Sequence, residues 1–381
     1  MKSILLLGST GSVGENTLQI VADRPEAFRV TGLVAGRQFE RLVEQCRRFR
    51  PIAAAVADPE AGHALAQALA GVCRTYAGSE GVLRLVRETP CDVAVQAITG
   101  AAGLPSTLAL VDRGARVALA NKESLVAAGH LLVPLSRKRG AEILPVDSEH
   151  SAIFQCLRGE RLAEVRRVFL TGSGGPFRER PLESFDSITP AEALRHPNWS
   201  MGERITLDSA TMMNKAFEVI EAHHLFSLEP EQIEVLLHPQ SLVHSMVEFR
   251  DGSILAQLGL PDMKIPIHYA LTHPDRAPNG YPAFDPTRFG TLTFAPADPV
   301  RYPAIELGYR CVREGGLSGA VLNAADEVAI SRFLAGDLRF PAIVECAREV
   351  LEARPRGFGE GTEAVFAADA WAREAAARWT A

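Results

Sequence analysis

Short apolar runs alternate with amphipathic stretches over about the first 150 residues of the chain. The apolar runs predict buried strands at 3–7, 28–35, 53–57, 93–97, 116–120 and 142–146. The stretches between them predict helices at 15–23, 39–49 and 63–70. Buried strands that alternate with helices are typical of a parallel α/β sheet. We therefore expect a Rossmann-like domain over residues 1–147.

The pattern changes after residue 147. Strands are predicted at 165–171, 234–237, 245–249 and 254–258, and helices at 151–157, 209–225 and 264–271. This mixture predicts a central α+β catalytic domain over 148–273. Seven prolines between Pro274 and Pro303 predict a stiff connector over 274–303, since proline breaks helices. Four helical stretches at 304–314, 319–334, 341–353 and 362–379 predict a C-terminal helical bundle over 304–381.

Composition excludes some classes of protein. Of the 381 residues, 47% are hydrophobic and 23% are charged, as in ordinary globular proteins. The net charge is −6 and no basic block is present, so we expect no binding of nucleic acid. No apolar run is long enough for a membrane span, and the apolar segment 4–7 is too short for a secretory signal. Six scattered cysteines are typical of thiols in a reducing compartment, so we expect a cytoplasmic protein.

A glycine-rich loop follows the first predicted strand and precedes a helix. Gly8, Gly11 and Gly14 are spaced three apart, which differs from the common Gly-x-Gly-x-x-Gly spacing. Glycines let a backbone approach a pyrophosphate closely, and a helix N-terminus stabilises the anion. The loop therefore indicates a dinucleotide cofactor. The alternative is a plain strand-to-helix turn.

The end of the second predicted strand bears on which cofactor binds. An acidic residue usually stands there when the cofactor lacks a 2′-phosphate. This chain has Gly36, Arg37 and Gln38 instead, and a guanidinium suits a phosphate. The interpretation is NADPH over NADH, and the alternative is a solvated surface arginine.

Two carboxylates, Asp147 and Glu149, stand at the end of an apolar run. Residues two apart in an extended strand point the same way, so we expect the two side chains to converge. Ligands that are all oxygen favour Mg²⁺ or Mn²⁺ over zinc. Some seventy residues later, Asn214, Lys215 and Glu218 can share one face of a helix that is otherwise apolar. Buried polar groups need partners, which a ligand could supply; the alternative is a surface salt bridge.

Three further segments are candidate ligand contacts. Lys122 follows a predicted strand, where ligands gather in α/β sheets, although it could also be a surface residue at a helix start. Ser173 lies in a glycine-rich stretch that could form an anion-binding nest or a flexible linker. The long segment 174–203 carries Trp199 and has the profile of an active-site lid, unless this tryptophan is packed permanently. Asp326-Glu327 and His223-His224 are interpreted as structural.

Taken together, these segments resemble the 1-deoxy-D-xylulose 5-phosphate reductoisomerase family over essentially the whole chain. The matching stretches are Gly8-Ser-Thr-Gly-Ser-Val-Gly14, Ala120-Asn-Lys-Glu-Ser124, Val146-Asp-Ser-Glu-His150, Thr171-Gly-Ser-Gly-Gly-Pro176, His196-Pro-Asn-Trp-Ser-Met-Gly202, Leu207-Asp-Ser-Ala-Thr-Met-Met-Asn-Lys215, Glu218 and Leu260-Pro-Asp-Met-Lys264.

The resemblance implies an NADPH-dependent reductoisomerase of isoprenoid precursor synthesis by the non-mevalonate route. The skeleton of 1-deoxy-D-xylulose 5-phosphate would be rearranged, by a retro-aldol and aldol sequence, and the resulting aldehyde reduced to 2-C-methyl-D-erythritol 4-phosphate. One Mg²⁺ or Mn²⁺ would chelate substrate oxygens and act as a Lewis acid. A homodimer is also implied by the resemblance alone.

The same resemblance implies a role for each matching residue. The cation would be held by Asp147, Glu149 and Glu218. Lys122 and Ser148 would position the substrate, His196 and Trp199 would belong to the lid, and the phosphate would be held by Ser173, Ser209, Asn214 and Lys215. Contacts to NADPH would come from Thr10, Gly11, Ser12, Val13, Gly36, Arg37, Gln38, Asn121, Glu123, Gly202 and Met263. The family often carries Lys-Asn where this chain has Arg37-Gln38, so the basic charge is kept and the hydrogen bonding of Gln38 is open.

Two alternatives stay open at this stage. A semialdehyde dehydrogenase, or another NADPH-dependent dehydrogenase of a small phosphorylated substrate, would share the glycine loop. The semialdehyde reaction needs a nucleophilic cysteine, and Cys156 is the one that lies in the middle region, without a matching motif. A non-catalytic NADPH-sensing or structural protein would have no need of three carboxylates.

Overall fold

The computed structural model describes residues 1–195, 202–288 and 290–380. Its strands are β1 Lys2–Leu7, β2 Phe28–Ala35, β3 Ala53–Val56, β4 Arg74–Ala77, β5 Val93–Gln96, β6 Arg116–Leu119, β7 Glu142–Pro145, β8 Val165–Gly172, β9 Ile233–Leu237, β10 Val243–Phe249, β11 Ile254–Leu258 and β12 Ala295–Pro296. Its helices are α1 Ser12–Asp23, α2 Phe39–Phe49, α3 Gly62–Ala68, α4 Gly78–Glu88, α5 Leu104–Asp112, α6 Lys122–Arg139, α7 Ser148–Cys156, α8 Pro190–Ala193, α9 Glu203–Thr211, α10 Met213–Phe226, α11 Lys264–Thr272, α12 Ala304–Glu314, α13 Ser318–Ala335, α14 Ala342–Ala353 and α15 Gly361–Arg378.

The chain forms two compact units that each draw on separate segments. The first unit contains Met1–Ser124, Leu132–Ser148 and Asp262–Tyr281. The second contains Leu125–Leu131, Glu149–Pro261 and Pro282–Ala381. None of the helices in the described part of the chain has the length and apolarity that crossing a membrane requires. The domain boundaries expected from the sequence remain a prediction.

The first unit is built on a seven-stranded sheet in the order β4-β3-β2-β1-β5-β6-β7. Every neighbouring pair is parallel, which confirms the predicted α/β class. The chain order reverses between β1 and β5. In sheets of this kind, ligands bind at the carboxyl ends of the strands beside that reversal. The loops that follow β1, β2, β5, β6 and β7 are therefore candidate ligand contacts.

The second unit is built on a five-stranded sheet in the order β11-β10-β8-β9-β12. β10 runs antiparallel to both β8 and β11, and β8 runs parallel to β9. One apolar core joins this sheet to α10, and a second joins α10 to the helices α12–α15. The predicted helical C-terminal region is confirmed.

The sequence patterns missed several elements and merged two others. β4, α4 and α5 were not predicted; β4 is an edge strand with no fully buried residue. The single helix expected over 209–225 is two helices, α9 and α10. They are separated at Met212, whose positive φ of 60° ends one helix and redirects the chain into the next. Ser209 and Lys215 therefore lie on different helices.

A pair of acidic residues lies buried where α9 meets α13. Asp326 on α13 is fully buried, and neither of its carboxyl oxygens accepts a hydrogen bond from the residues that the structure describes. Burial raises the pKa of Asp326 well above its usual value, and the nearby carboxylate of Asp208 adds to that effect, as does Glu327. Arg204 opposes the shift; it donates to Glu327 and, at 2.7 Å, to Oδ1 of Asn323. Because its pKa is raised, Asp326 is the member of this pair that keeps a proton, while Asp208 lies 3.7 Å from Nε of Arg204.

We predict that Asp326→Asn stabilises the protein at neutral and alkaline pH. A group whose folded pKa is raised costs stability as the pH climbs from its unfolded pKa toward its folded one, because the folded state must hold the proton. An asparagine donates to Asp208 without that cost. The expected gain at pH 8 is about 1–3 kcal/mol. It should shrink toward zero near pH 4, close to the ordinary aspartate pKa.

Urea unfolding at a series of pH values measures this effect. Asp337→Asn is the matched control, because Asp337 is exposed just beyond the end of α13. The control should leave the urea midpoint unchanged at every pH. A pH-independent loss of stability in Asp326→Asn would show that Asp326 is charged in the folded state.

Candidate active site

The glycine loop after β1 is closely packed against its neighbours. Gly8 has a φ of 84°, and a Cβ there would lie 2.3 Å from the carbonyl oxygen of Ala97. A Cβ at Gly14 would lie 2.3 Å from the carbonyl oxygen of Gly8. Both positions therefore require glycine. Thr10 and Gly11 precede α1, and Ser12 and Val13 form its first turn, where no side chain caps the N-terminus. Backbone N–H groups at such a terminus suit a pyrophosphate.

The loop after β2 lies next to the glycine loop, because β2 is the neighbour of β1 in the sheet. Gly36, Arg37 and Gln38 make up this loop and are all exposed. α2 begins directly after Gln38. The two loops that the sequence analysis assigned to a dinucleotide thus follow adjacent parallel strands at the same edge of the sheet.

Asn121, Lys122 and Glu123 follow β6. Asn121 is the N-cap of α6, and its side chain donates to the carbonyl oxygen of Gly100 at 3.0 Å. Glu123 accepts from the N–H of Gly100 at 3.1 Å and from the Asn121 amide at 2.9 Å. These two side chains hold the loop that follows β5 in place. A direct contact of either with NADPH remains a prediction.

Lys122 is held by an acidic partner at the end of the next strand. Its Nζ lies 2.7 Å from Oδ2 of Asp147, and both side chains are largely buried. β6 and β7 are parallel neighbours, so their carboxyl ends bring these two residues together. The burial of Lys122 excludes its interpretation as a surface residue.

The predicted placement of Asp147 and Glu149 on one strand is wrong. β7 ends at Pro145 and α7 begins at Ser148, so the two carboxylates do not lie on one strand. Glu149 instead occupies the first turn of α7, where the positive end of the helix dipole favours a carboxylate. The apolar run over 142–146 ends where the polar residues begin. A helix that starts directly after this strand was not predicted.

In the second unit, Lys215 joins two carboxylates from different helices. Its Nζ lies 2.6 Å from Oε1 of Glu149 on α7 and 2.6 Å from Oε2 of Glu218 on α10. Glu218 is fully buried, and Asn214 donates to its other oxygen. Carboxylate oxygens of Glu149 and Glu218 lie within 4.8 Å of each other. The predicted face of Asn214, Lys215 and Glu218 is therefore real, and its partner is Glu149.

Three residues around these carboxylates had no predicted role: His150, Glu221 and His244. His150, fully buried on α7, approaches α10 twice: Nε2 lies 2.9 Å from the carbonyl oxygen of Glu218, and Nδ1 lies 3.4 Å from Oε2 of Glu221. It fixes α7 to α10 and thereby the position of Glu149. Burial lowers the pKa of His244 on β10, against the opposing charge of Glu149. A histidine beside a predicted ligand was the signal for His150.

The loop after β8 approaches both Ser209 and Lys215. A Cβ at Gly172 would lie 2.8 Å from Cε of Lys215, so this glycine leaves room for the lysine side chain. Gly175 has a φ of 69°, and a Cβ there would lie 2.7 Å from the carbonyl oxygen of Ser209. The N–H of Gly175 donates to Oγ of Ser173 at 3.2 Å. The structure thus brings together the predicted phosphate contacts of the second unit.

The remaining predicted residues that the structure describes lie at the starts of three helices. Gly202 is the exposed N-cap of α9, and Met263 is the N-cap of α11 in the first unit. Ser148 is the first residue of α7. His196 and Trp199 lie outside the described residues, so the expected lid stays a prediction.

The second unit fits part of a site for a hard divalent cation. Glu149 and Glu218 offer only oxygen ligands, as Mg²⁺ and Mn²⁺ prefer. Their two negative charges are offset by one ammonium group, that of Lys215, which leaves this cluster with an excess negative charge. Asp147 precedes Glu149 by two residues in the chain and is paired with Lys122 in the first unit.

Comparison with family models matches most of the chain. Residues 4–129 match the model of 1-deoxy-D-xylulose 5-phosphate reductoisomerase, and residues 143–226 match the C-terminal domain model of the same enzyme. Residues 258–375 match the model described as the DXP reductoisomerase C-terminal domain. The resemblance inferred from the motifs is confirmed.

Individual relatives agree with the family models. The 1-deoxy-D-xylulose 5-phosphate reductoisomerase of Gloeobacter violaceus is 50% identical over 377 residues, which cover 98% of this chain and 96% of the relative. The enzyme of Pelotomaculum thermopropionicum is 48% identical and covers 98% of this chain and 97% of its own.

Solved structures of the same enzyme share the fold. A DOX-P reductoisomerase in complex with NADPH, fosmidomycin and magnesium has a TM-score of 0.94 and 38% identity, with 99% of this chain and 97% of the other covered. The reductoisomerase of Zymomonas mobilis in complex with NADPH has a TM-score of 0.93 and 41% identity, with 99% and 98% covered.

Proposed function

This chain belongs to the 1-deoxy-D-xylulose 5-phosphate reductoisomerase family, and we propose how its own carboxylates and lysines serve the family's reaction. It is an NADP-dependent oxidoreductase that uses NADPH and a divalent cation to convert 1-deoxy-D-xylulose 5-phosphate to 2-C-methyl-D-erythritol 4-phosphate, a step in isoprenoid precursor synthesis. The residue assignment rests on the contacts of Lys215. This side chain contacts Glu149 and Glu218 and passes beside Gly172 at the end of β8.

The proposed cation ligands are Asp147, Glu149 and Glu218. Support comes from the pair of Glu149 and the fully buried Glu218, whose excess negative charge favours a cation. Asp147 is two residues from Glu149 in the chain, and its pairing with Lys122 fixes the orientation of its carboxyl group. When bound, the cation acts as a Lewis acid on the substrate's oxygens.

Lys215 serves two partners in this proposal. Without the cation, its ammonium offsets the repulsion between Glu149 and Glu218. Positive charge placed on those carboxylates repels the ammonium, which then becomes available to the substrate's phosphate. Gly172 leaves the space in which the lysine side chain moves. Ser173, Ser209 and Asn214 are the other proposed phosphate contacts.

Lys122 and Ser148 are proposed to position the carbon skeleton. Asp147 holds the Nζ of Lys122 at the carboxyl end of β6, where it can donate to a substrate oxygen. The Ser148 hydroxyl can donate from the first turn of α7. Holding a short sugar phosphate at both its phosphate and its hydroxyl groups restricts it to the geometry in which bonds rearrange.

The NADPH contacts proposed are those of the glycine loop and the loop after β2. Arg37, exposed at the start of α2, supplies the charge that would recognise the 2′-phosphate. The further contacts proposed are Thr10, Gly11, Ser12, Val13, Gly36, Gln38, Asn121, Glu123, Gly202 and Met263. His196 and Trp199 are proposed to cover the substrate.

The alternative of a semialdehyde dehydrogenase is not supported. All the comparisons that span the chain at high identity name the reductoisomerase. Cys156, at the end of α7, is buried in the apolar core of the second unit. A thiol packed there does not act as a nucleophile toward an aldehyde.

We predict metal-dependent oxidation of NADPH with 1-deoxy-D-xylulose 5-phosphate as the substrate, and its loss in Glu218→Gln. The amide cannot supply the charge that holds a divalent cation, so turnover should fall by about 100-fold or more. The loss of NADPH absorbance measures turnover with and without Mn²⁺, and quenching of protein fluorescence measures NADPH binding, which should be unchanged.

Glu231→Gln is the control, because Glu231 is exposed in the same unit and should behave as the wild type. Turnover by the wild type without any added cation would contradict the proposed function. Retained metal-dependent turnover in Glu218→Gln would remove Glu218 from the ligand set.

We also propose that the enzyme is a homodimer that pairs through β11. This strand lies at the edge of the five-stranded sheet, and its exposed apolar side chains are Ile254, Leu255 and Leu258. An exposed apolar edge strand is a template for pairing with another chain, and proteins usually protect it. A second copy of the same strand would cover it.

Leu255→Lys should therefore convert the dimer to a monomer, because it places a charge on the apolar edge. Sedimentation velocity measures the change. Val300→Lys is the control, since Val300 is exposed outside the sheet and should leave the assembly unaltered. A dimer that persists in Leu255→Lys would place the interface elsewhere.

A cytoplasmic location is proposed as well. All six cysteines are thiols in this structure, and none is part of a disulfide. Such cysteine usage supports a reducing compartment.

A further inference from the structure

The helix α2 connects two places that the proposed function assigns to NADPH. Its N-terminus follows directly on Gly36, Arg37 and Gln38, the proposed contacts of the 2′-phosphate. One turn further along, Arg41 and Gln45, four residues apart, share a face of the helix. Both side chains reach the segment from Ser9 to Glu15, which holds the proposed contacts of the pyrophosphate.

Gln45 is the buried member of this pair. Its side-chain amide donates to the carbonyl oxygen of Ser9 at 2.9 Å and to Oε1 of Glu15 at 2.9 Å. Only 3% of Gln45 is exposed, and Ser9 is fully buried. On the opposite side of the loop, the N–H groups of Gly8 and Ser9 donate to the carbonyl oxygen of Val34 in β2. The glycine loop is therefore hydrogen-bonded to β2 through its backbone N–H groups and to α2 through the carbonyl oxygen of Ser9.

Glu15 places a negative charge near the N-terminus of α1. In the proposed function, this N-terminus binds the pyrophosphate of NADPH. Arg41 neutralises it with two hydrogen bonds, from Nε to Oε1 at 2.7 Å and from a terminal nitrogen to Oε2 at 3.0 Å. The hydrogen bond from Arg41 is the main cause that lowers the pKa of Glu15, so the carboxylate is ionised. Without Arg41 and Gln45, an ionised Glu15 would repel the cofactor's phosphates.

We propose that Gln45 is a positioning residue for the cofactor. It fixes the glycine loop relative to the start of α2, and so sets the separation between the pyrophosphate contacts and the 2′-phosphate contacts. The inference rests on the proposed function, because it concerns how NADPH is held. A change in this separation affects NADPH more than NADH, since NADPH alone has to satisfy both ends at once.

Gln45→Met tests the inference, because methionine has a similar volume and no donor for Ser9 or Glu15. The dissociation constant of NADPH should rise by about 10-fold, since the buried carbonyl oxygen of Ser9 loses its donor and Glu15 keeps only Arg41. The affinity for NADH should change less, so the preference for NADPH falls. The kcat at saturating NADPH and the KM values for substrate and Mn²⁺ should stay as in the wild type, which a general structural defect would not allow.

Gln19→Met is the matched control. Gln19 is exposed on α1 and donates only to Asp23 at 2.6 Å, so NADPH affinity should be unchanged. Arg41→Met is the second variant, since Arg41 is half-exposed and its loss does not empty a core position. It should weaken NADPH binding in the same direction, and added salt should reduce the loss by screening Glu15.

The outcomes separate the two proposals. NADPH affinity that is unchanged in Gln45→Met and Arg41→Met would overturn the inference and leave wild-type turnover, and with it the proposed function, intact. Equal losses for NADH and NADPH in Gln45→Met would also overturn it, because the separation of the two ends would then be irrelevant. A wild type that does not bind NADPH would overturn the proposed function and the inference together.

Discussion

The second unit depends on holding two carboxylates side by side, one of them fully buried. Glu218 is fully buried, and an oxygen of Glu149 lies within 4.8 Å of it, so their repulsion must be offset within the protein. Lys215 supplies the positive charge and Asn214 a further donor. These groups occupy one face of α10 because they are three and four residues before Glu218. The polar residues on one face of α10 thus compensate the negative charge of the two carboxylates.

The surrounding backbone follows from the same requirement. Lys215 reaches Glu149 because Gly172 has no side chain in its path. α10 begins where it does because Met212 breaks the preceding helix with a positive φ. His150 then fixes α7 to α10 through the carbonyl oxygen of Glu218. Gly172, Met212 and His150 therefore owe their roles to their positions around the two carboxylates.

The parts of the molecule that local sequence determines were predictable. Apolar runs located most strands of the parallel sheet, and the glycine spacing located a loop in which Gly8 and Gly14 leave no space for a side chain. Edge strand β4 was missed because it is not buried on either face, so it has no apolar signal. The convergence of Asp147 and Glu149 was argued from a strand that ends at Pro145. The contact of Glu149 with Lys215 spans 66 residues, and no local pattern contains it.

The pair Asp208 and Asp326 shows why the pair Glu149 and Glu218 is suited to a cation. Both pairs bury carboxyl groups in the same unit, but they are stabilised differently. Asp326 accepts no hydrogen bond from any described residue, and burial raises its pKa, so it keeps a proton. Glu149 and Glu218 share the ammonium of Lys215 instead, which donates a charge-assisted hydrogen bond to each. A carboxylate that is already ionised can accept a divalent cation without first releasing a proton, whereas a proton-sharing pair cannot. The partner of an acidic pair, a lysine or a shared proton, therefore distinguishes a pair that offers charged oxygens to a cation from one that only joins two helices.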